Sequence, residues 1–404
     1  MSDAASTESV GDAGTTADEE RLLQGRAGRL LLTASLGWLA IQAGRLVLSP
    51  MLPAVRADLG ATTAQMGFAL TVIWGLYAAF QYPSGRLADR LTPATPLVGG
   101  LALLSVGFLG LAAAPTYPVF LAGAVVVGAG AGLYPTAART LVADLFVRRR
   151  GAAFGLHTGS GDVGGVAAAG LATAVLAAAV WRAAFLPVVV VLLGVGLALH
   201  AWRTEPYAVR MPSLGVVATA RRLLADPTRR RQLAVYSLYS FTWQAAVGFL
   251  PTYFSVGKGF SAAVGSGAFA VLFGVGAAVK PAAGRVADRV PRDAVALGAL
   301  TVAATALAGV VVADSPAVAL AAVVAFAVGL MSFPPVMQAY LMDAFPNDSR
   351  GGDLGAVRAT YIGVGALGPT YVGVVADAVG YRAAFLGLVG CLALAAAGLL
   401  AERR

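Results

Sequence analysis

Apolar residues run along this chain in blocks of about twenty, divided by short groups of arginine, aspartate, glycine and proline. Cutting at those groups leaves twelve blocks, near 28–51, 65–84, 94–113, 117–141, 152–178 and 183–203, then 231–252, 262–282, 294–313, 316–342, 354–378 and 382–401. Each has about the length, roughly 17 to 25 residues, that a helix needs to cross the hydrocarbon of a bilayer. Many are rich in Ala, Gly and Val, which lets helix backbones approach closely in lipid, where burial of apolar surface gives no drive for association. The pattern predicts an all-α polytopic membrane protein with twelve transmembrane helices.

The second set of six blocks copies the first. Pro83-Ser84-Gly85-Arg86-Leu87-Ala88-Asp89-Arg90 returns as Pro281-Ala282-Ala283-Gly284-Arg285-Val286-Ala287-Asp288-Arg289, and Trp181-Arg182-Ala183-Ala184-Phe185 returns as Tyr381-Arg382-Ala383-Ala384-Phe385. Between these anchors Pro135, Asp144, Phe146 and Arg150 find counterparts in Pro334, Asp343, Phe345 and Arg350, at a spacing of 199 to 200. Parallel repeats of a hydrophobic multi-helix unit mark a large class of secondary transporters. The expected organisation is a disordered cytoplasmic tail over 1–27, a six-helix half over 28–203, a central cytoplasmic loop over 204–230 and a second half over 231–404. The tail is small, polar and acidic, without the basic start of a cleavable signal. In the loop, the stretch from Leu214 to Leu224 reads as an amphipathic helix on the inner membrane surface, with a solvated linker as the other reading.

Composition agrees: 58% hydrophobic and 12% charged residues are too few charges to cover a soluble globule, which carries about 25%. The net charge of +9 is spread in short groups between apolar runs and forms no nucleic-acid stripe. It reports topology instead. With both termini in the cytoplasm, one face collects Arg86, Arg90, Arg139, the run Arg148 to Arg150, Arg285, Arg289 and the central loop, whereas the other keeps Arg56, Arg182, Lys258 and Arg382, as the positive-inside rule requires. Plasma membrane is the expected location. One cysteine, Cys391, allows no intrachain disulfide, and two histidines with one cysteine make no ordinary zinc site. No phosphate-binding loop or catalytic triad is present, so no cofactor and no enzymatic activity are expected.

Two six-helix halves, a central loop and Gly-x-Leu-Ala-Asp-Arg after the second block together resemble the major facilitator superfamily over everything beyond the tail. The fuller family motif continues with a glycine and two basic residues; here Thr92, Pro93 and Ala94 follow the first copy. The resemblance implies alternating access, with Gly85, Asp89, Arg90, Arg139, Gly284, Asp288 and Arg289 latching an inner gate. Chemically, the glycine would serve a tight turn out of the helix and the aspartate would accept bonds from a helix N-terminus or an arginine. A solvated turn is the alternative.

Charges stranded in hydrocarbon cost a few kcal/mol each and mark candidate binding residues. Arg45 lies two-thirds along the first block with no acid within a helical turn, and faces either the central cavity or the outer surface by snorkelling. Its surroundings, from Gly44 through Pro50 and Pro53 to Trp74, Tyr77 and Gln81, look like the opening of the anion:cation symporter branch. There an Asp-Arg pair handles proton and substrate; here Gly44 replaces the acid, so the resemblance carries over the anion-holding role of the arginine. A guanidinium suits a carboxylate or phosphate through a bidentate fork. Asp162, in a glycine-rich run with His157, fits four roles: contacting substrate, pairing with Arg45, carrying a coupling proton or forming a structural ion pair. His157 is a second proton candidate, though a satisfied polar contact fits it as well. Tyr77, Gln81 and Trp243 complete the expected substrate site, Lys280 and Arg358 are assigned to the gate, and Asp377 to the outer mouth. The expected partners are a small anionic molecule and the lipid bilayer, with the protein a monomer. A drug or lipophile exporter and a non-transporting scaffold or sensor are the competing readings.

Overall fold

A computed structural model describes residues 22–90, 92–178, 181–203, 206–207, 226–344 and 350–402. The predicted tail up to residue 21 and the amphipathic stretch of the central loop lie outside the described residues.

The first half opens with a broken helix, Gly25–Leu46 followed by Leu48–Leu59, which together make the first span. The break falls at Val47 because Pro50 has no N–H to offer the Leu46 carbonyl. Helices Thr63–Arg90, Ala94–Ala112, Tyr117–Leu145 and Arg150–Ala177 form the second to fifth spans. A short 3₁₀ turn, Trp181–Ala184, leads into Phe185–Trp202, the sixth. The second half repeats this with Pro227–Thr252, Ala262–Ala287, Arg292–Val312 and Pro316–Ala344. Its eleventh span is again broken, as Arg350–Gly365 and Leu367–Val379, where Pro369 withholds a bond from the Gly365 carbonyl. Tyr381–Glu402 closes the chain of helices.

Among the described residues, eleven spans are long and apolar enough to cross a membrane. The seventh, Pro227–Thr252, falls short because Tyr236, Ser237, Tyr239, Ser240, Thr242 and Gln244 interrupt its apolar run. These residues are buried in the protein and not in lipid, and several of them line the central cavity described below.

Two sequence expectations need correction. The first span does not stop near residue 51 but continues through Pro53 to Leu59, since proline costs nothing within the first turn of the new helix and only a kink beyond it. Gly85 and Gly284 do not make tight turns: both sit inside their helices, Thr63–Arg90 and Ala262–Ala287, and neither is among the positive-φ glycines. The Asp288 amide still donates to the Gly284 carbonyl at 3.1 Å, so the helical ladder runs past the glycine.

The halves meet where the second span lies along the eleventh and the fifth along the eighth. At one end the second and eleventh spans are bound tightly. The Thr63 and Ala64 amides donate to the Asp377 carboxylate at 3.3 and 2.7 Å, and the Thr71 hydroxyl donates to the Ala366 carbonyl at 2.5 Å. Gly67 rests on the Pro369 carbonyl and Gly373 on Thr63, contacts that leave no room for a Cβ. In the other seam, Gly164 lies against the Leu39 carbonyl of the first span and Gly165 against the Phe273 ring of the eighth. The fifth span is thereby pinned between the first span and the eighth at the depth of Asp162.

Candidate functional site

A cavity of about 230 Å³ lies between the halves. Gln42, Trp74 and Tyr77 form its wall on the first half, and Tyr239, Trp243, Gln244, Lys280, Gln338, Arg358 and Tyr361 stand opposite. Trp74 and Trp243 meet edge to face across the halves, with centroids 5.4 Å apart and planes at 87°. At 1.5 Å per residue both lie nearer the Asp377 end than Tyr77 or Tyr239, so this pair roofs the cavity beneath the bound ends of the second and eleventh spans.

Arg45 stands directly behind that wall. It is 4% exposed, and its guanidinium lies 4.0 Å from the Trp74 ring centroid and 4.3 Å from that of Tyr77. Its Nη1 donates to Gln42 Oε1 at 3.3 Å, while Nε and Nη2 are buried without a partner. Cation–π contact is worth about 2 kcal/mol when desolvated, which lowers the cost of burying the charge but leaves two donors unused. Arg358 repeats the arrangement from the second half: Nη1 donates to Gln338 Oε1 at 3.4 Å and Nε is buried without a partner. The Tyr77 phenol lies within reach of both guanidinium groups, and Arg139 is close enough for its charge to repel that of Arg358.

The acid of this region is already engaged. Lys280 Nζ donates to Asp162 Oδ1 at 2.5 Å, joining the eighth span to the fifth across the halves. Among the described residues, the cavity and its contacts hold Arg45, Arg358, Arg139 and Lys280 against the single carboxylate of Asp162, an excess of positive charge. Gln244 is 1% exposed; it donates to Ser240 Oγ and to the Ile362 carbonyl and leaves its Oε1 without a partner.

Of the residues singled out from sequence, Tyr77 and Trp243 line the cavity and Arg45 backs it, buried in protein and not snorkelling to the surface. Asp162 pairs with Lys280 instead of Arg45. Gln81 is buried off the cavity wall, its side-chain amide nitrogen without a partner. His157 packs 6.3 Å from the Trp38 ring and is 2% exposed. Arg139 gathers with the cavity arginine and tyrosines. Asp288 and Arg289 are exposed at the end of the eighth span, and the side chains of Asp89 and Arg90 lie outside the described residues. Asp377 does sit at the mouth opposite the arginine-rich loops, where it caps the second span.

Sequence reasoning gave Lys280 and Arg358 to the gate, whereas both reach the cavity. It named Gln244 beside Trp243 on the seventh span but passed over Gln338, Tyr239 and Tyr361. The available signal was the unusually polar face of the seventh span and the pairing of Gln338 with Arg358 twenty residues on.

Two helical halves about a central, charged cavity define the architecture of a membrane carrier. The chain belongs to the Major Facilitator Superfamily, whose profile matches residues 34–334 and 272–404, and it is a transporter and not an enzyme. Over 155 residues it is 30% identical to a probable sulfoacetate transporter of Cupriavidus necator, a match covering 37% of this chain and 35% of that relative. Among solved structures it resembles a bacterial homologue of the human lysosomal transporter Spinster, crystallised inward-facing and unoccupied. That likeness has a TM-score of 0.80 and 18% identity, and covers 94% of this chain and 98% of the other. A D-xylose–proton symporter aligns at a TM-score of 0.76 and 16% identity, over 93% and 97%.

Proposed function

We propose that this protein carries a small organic anion, with a carboxylate, sulfonate or phosphate group, across the plasma membrane by alternating access. The observation that carries this reading is a pair of buried guanidinium groups, each with an unused donor: Arg358 on the cavity wall and Arg45 directly behind the Trp74–Tyr77 wall opposite. A buried donor without an acceptor costs about 1–3 kcal/mol, more for a charged group. An anion in the cavity repays that cost at Arg358, with the Arg45 charge close behind the facing wall, and planar guanidinium favours a forked oxyanion. The sulfoacetate assignment of the Cupriavidus relative points the same way.

Both termini are cytoplasmic in this reading, so the Asp377 end is extracellular and shut, with the cavity serving the cytoplasmic side. Asp89 and Asp288 latch the cytoplasmic end in the opposite state, and the carrier acts as a monomer. A drug exporter draws support from the aromatic lining of Trp74, Tyr77, Trp243 and Tyr361, but the same cations repel lipophilic amines.

The test is uptake into proteoliposomes of acetate, malonate, ethanesulfonate, sulfoacetate and methyl phosphate, beside a neutral lipophile. Saturable uptake of one or more anions supports the assignment. Transport of the lipophile alone supports export.

A further inference from the structure

The Asp162–Lys280 pair has an uneven setting. The Asp162 side chain is 9% exposed and held in the seam, whereas that of Lys280 is 33% exposed and lines the cavity. Asp162 therefore reaches the cavity through Lys280. An ammonium has three donors on a flexible stem, and the structure commits one of them to Asp162. An anion drawn to Arg358 enters the cavity that Lys280 also faces, and it competes with Asp162 for the same cation.

Resting on the anion reading above, we propose that Lys280 is a substrate-binding residue and Asp162 its exchangeable counter-ion: the incoming anion takes Lys280, and the released carboxylate takes up a proton from water in the cavity. The step balances. One N–H···O contact to Asp162 is exchanged for one to the anion, and one proton from solvent neutralises the freed carboxylate. A carboxylate in this seam has no other acceptable state, because a buried charge that loses its partner is strongly penalised. Away from the helix ends, the charged or titratable groups on the helices packed about it are Arg45 on the first span, His157 on its own span, and Tyr134 and Arg139 on the fourth, with the exposed Arg285 beyond Lys280 on the eighth. Arg45 is turned to Gln42, Trp74 and Tyr77, and His157 to Trp38. The exchange also removes a bond between the halves, so loading loosens the fifth and eighth spans at the depth where they must slide. Anion and proton then move together.

The experiment uses the full chain purified in detergent, with the best-transported anion of the panel. Binding is measured by calorimetry from pH 5 to 8, and proton uptake is followed with an indicator dye in weak buffer. The wild type should take up about one proton per anion, with affinity rising up to tenfold per unit fall in pH. Asp162→Asn should bind the anion more tightly, without pH dependence or proton uptake. Lys280→Gln should bind at least tenfold more weakly. The double exchange Asp162→Lys with Lys280→Asp keeps an ion pair and guards against misfolding: a structural pair would be restored by it, whereas a binding lysine moved off the cavity wall would not restore anion affinity. Wild-type binding with Asp162→Asn unchanged in affinity and pH slope, or full rescue by the double exchange, overturns the inference alone. A wild type that binds no anion of the panel removes the anion reading and this inference with it.

Discussion

Replacing Gly373 by alanine tests the closed end of the cavity at its tightest point. A Cβ on Gly373 would stand 2.5 Å from the Thr63 carbonyl oxygen and 2.9 Å from Ala64 Cα, about 0.9 Å short of the ordinary contact of 3.4 Å. The opposing atoms are helix backbone, so no side-chain rotation relieves the clash. Overpacking of this kind costs about 1–3 kcal/mol. The cost falls only on the state in which the second and eleventh spans touch, and a separation of the halves removes it. Since about 1.4 kcal/mol is a tenfold change, Gly373→Ala should shift the population roughly 5- to 150-fold towards a state open at the Asp377 end. Nitroxides on the exposed side chains Phe68 and Val374, one on each span, would report the change as a longer distance distribution by electron–electron double resonance, after Cys391 is replaced. An unchanged distribution would refute the argument that this seam closes the cavity.

Three further perturbations test the closed end, the cavity wall and the proposed latch. Asp377→Asn weakens the cap on the Thr63 and Ala64 amides; because the carboxylate is exposed, screening limits the effect to about 0.5–1 kcal/mol, read as a two- to fivefold rise in the same open population. Arg45→Lys keeps the charge but loses the planar fork and the stacking on Trp74 and Tyr77, and should weaken anion binding ten- to hundredfold, about 1.5–3 kcal/mol, by calorimetry; unaltered affinity would free Arg45 of a binding role. Asp89→Asn and Asp288→Asn should each slow transport in proteoliposomes while leaving the amount of folded protein in the membrane unchanged, and normal rates in both would dismiss the latch.

The twelve spans were legible because hydrophobic length and the internal repeat are written in one dimension. Depth was legible in part: Arg45 was placed by its distance along the first span, Trp243 by the repeat that sets it opposite Arg45, and Tyr77 by its neighbours on the second span. Azimuth was not. Lys280 and Arg358 lie close to the arginine-rich face in sequence, which argued for a gate, but the side of a helix that meets the cavity depends on which neighbours it packs against. The partner of Asp162 was hidden for the same reason, since Lys280 stands 118 positions away in the other half. The end of the first span escaped because Pro50 and Pro53 read as a stop, whereas the structure bends the helix there and continues to Leu59. Gly85 and Gly284 read as turns because glycine favours them, yet a glycine inside a helix costs only about 1 kcal/mol relative to alanine, and the run continues through both.

The most direct measurement compares anion binding by the wild type with Arg358→Gln, since Arg358 lines the cavity and holds an unused buried donor. Glutamine keeps a hydrogen-bonding side chain beside Gln338 and removes the charge. If the cavity takes an anion at Arg358, calorimetry on purified protein should show Arg358→Gln binding the best-transported anion at least tenfold more weakly, with folding, judged by thermal unfolding, preserved. Equal affinity in a folded Arg358→Gln protein would contradict anion carriage through this site.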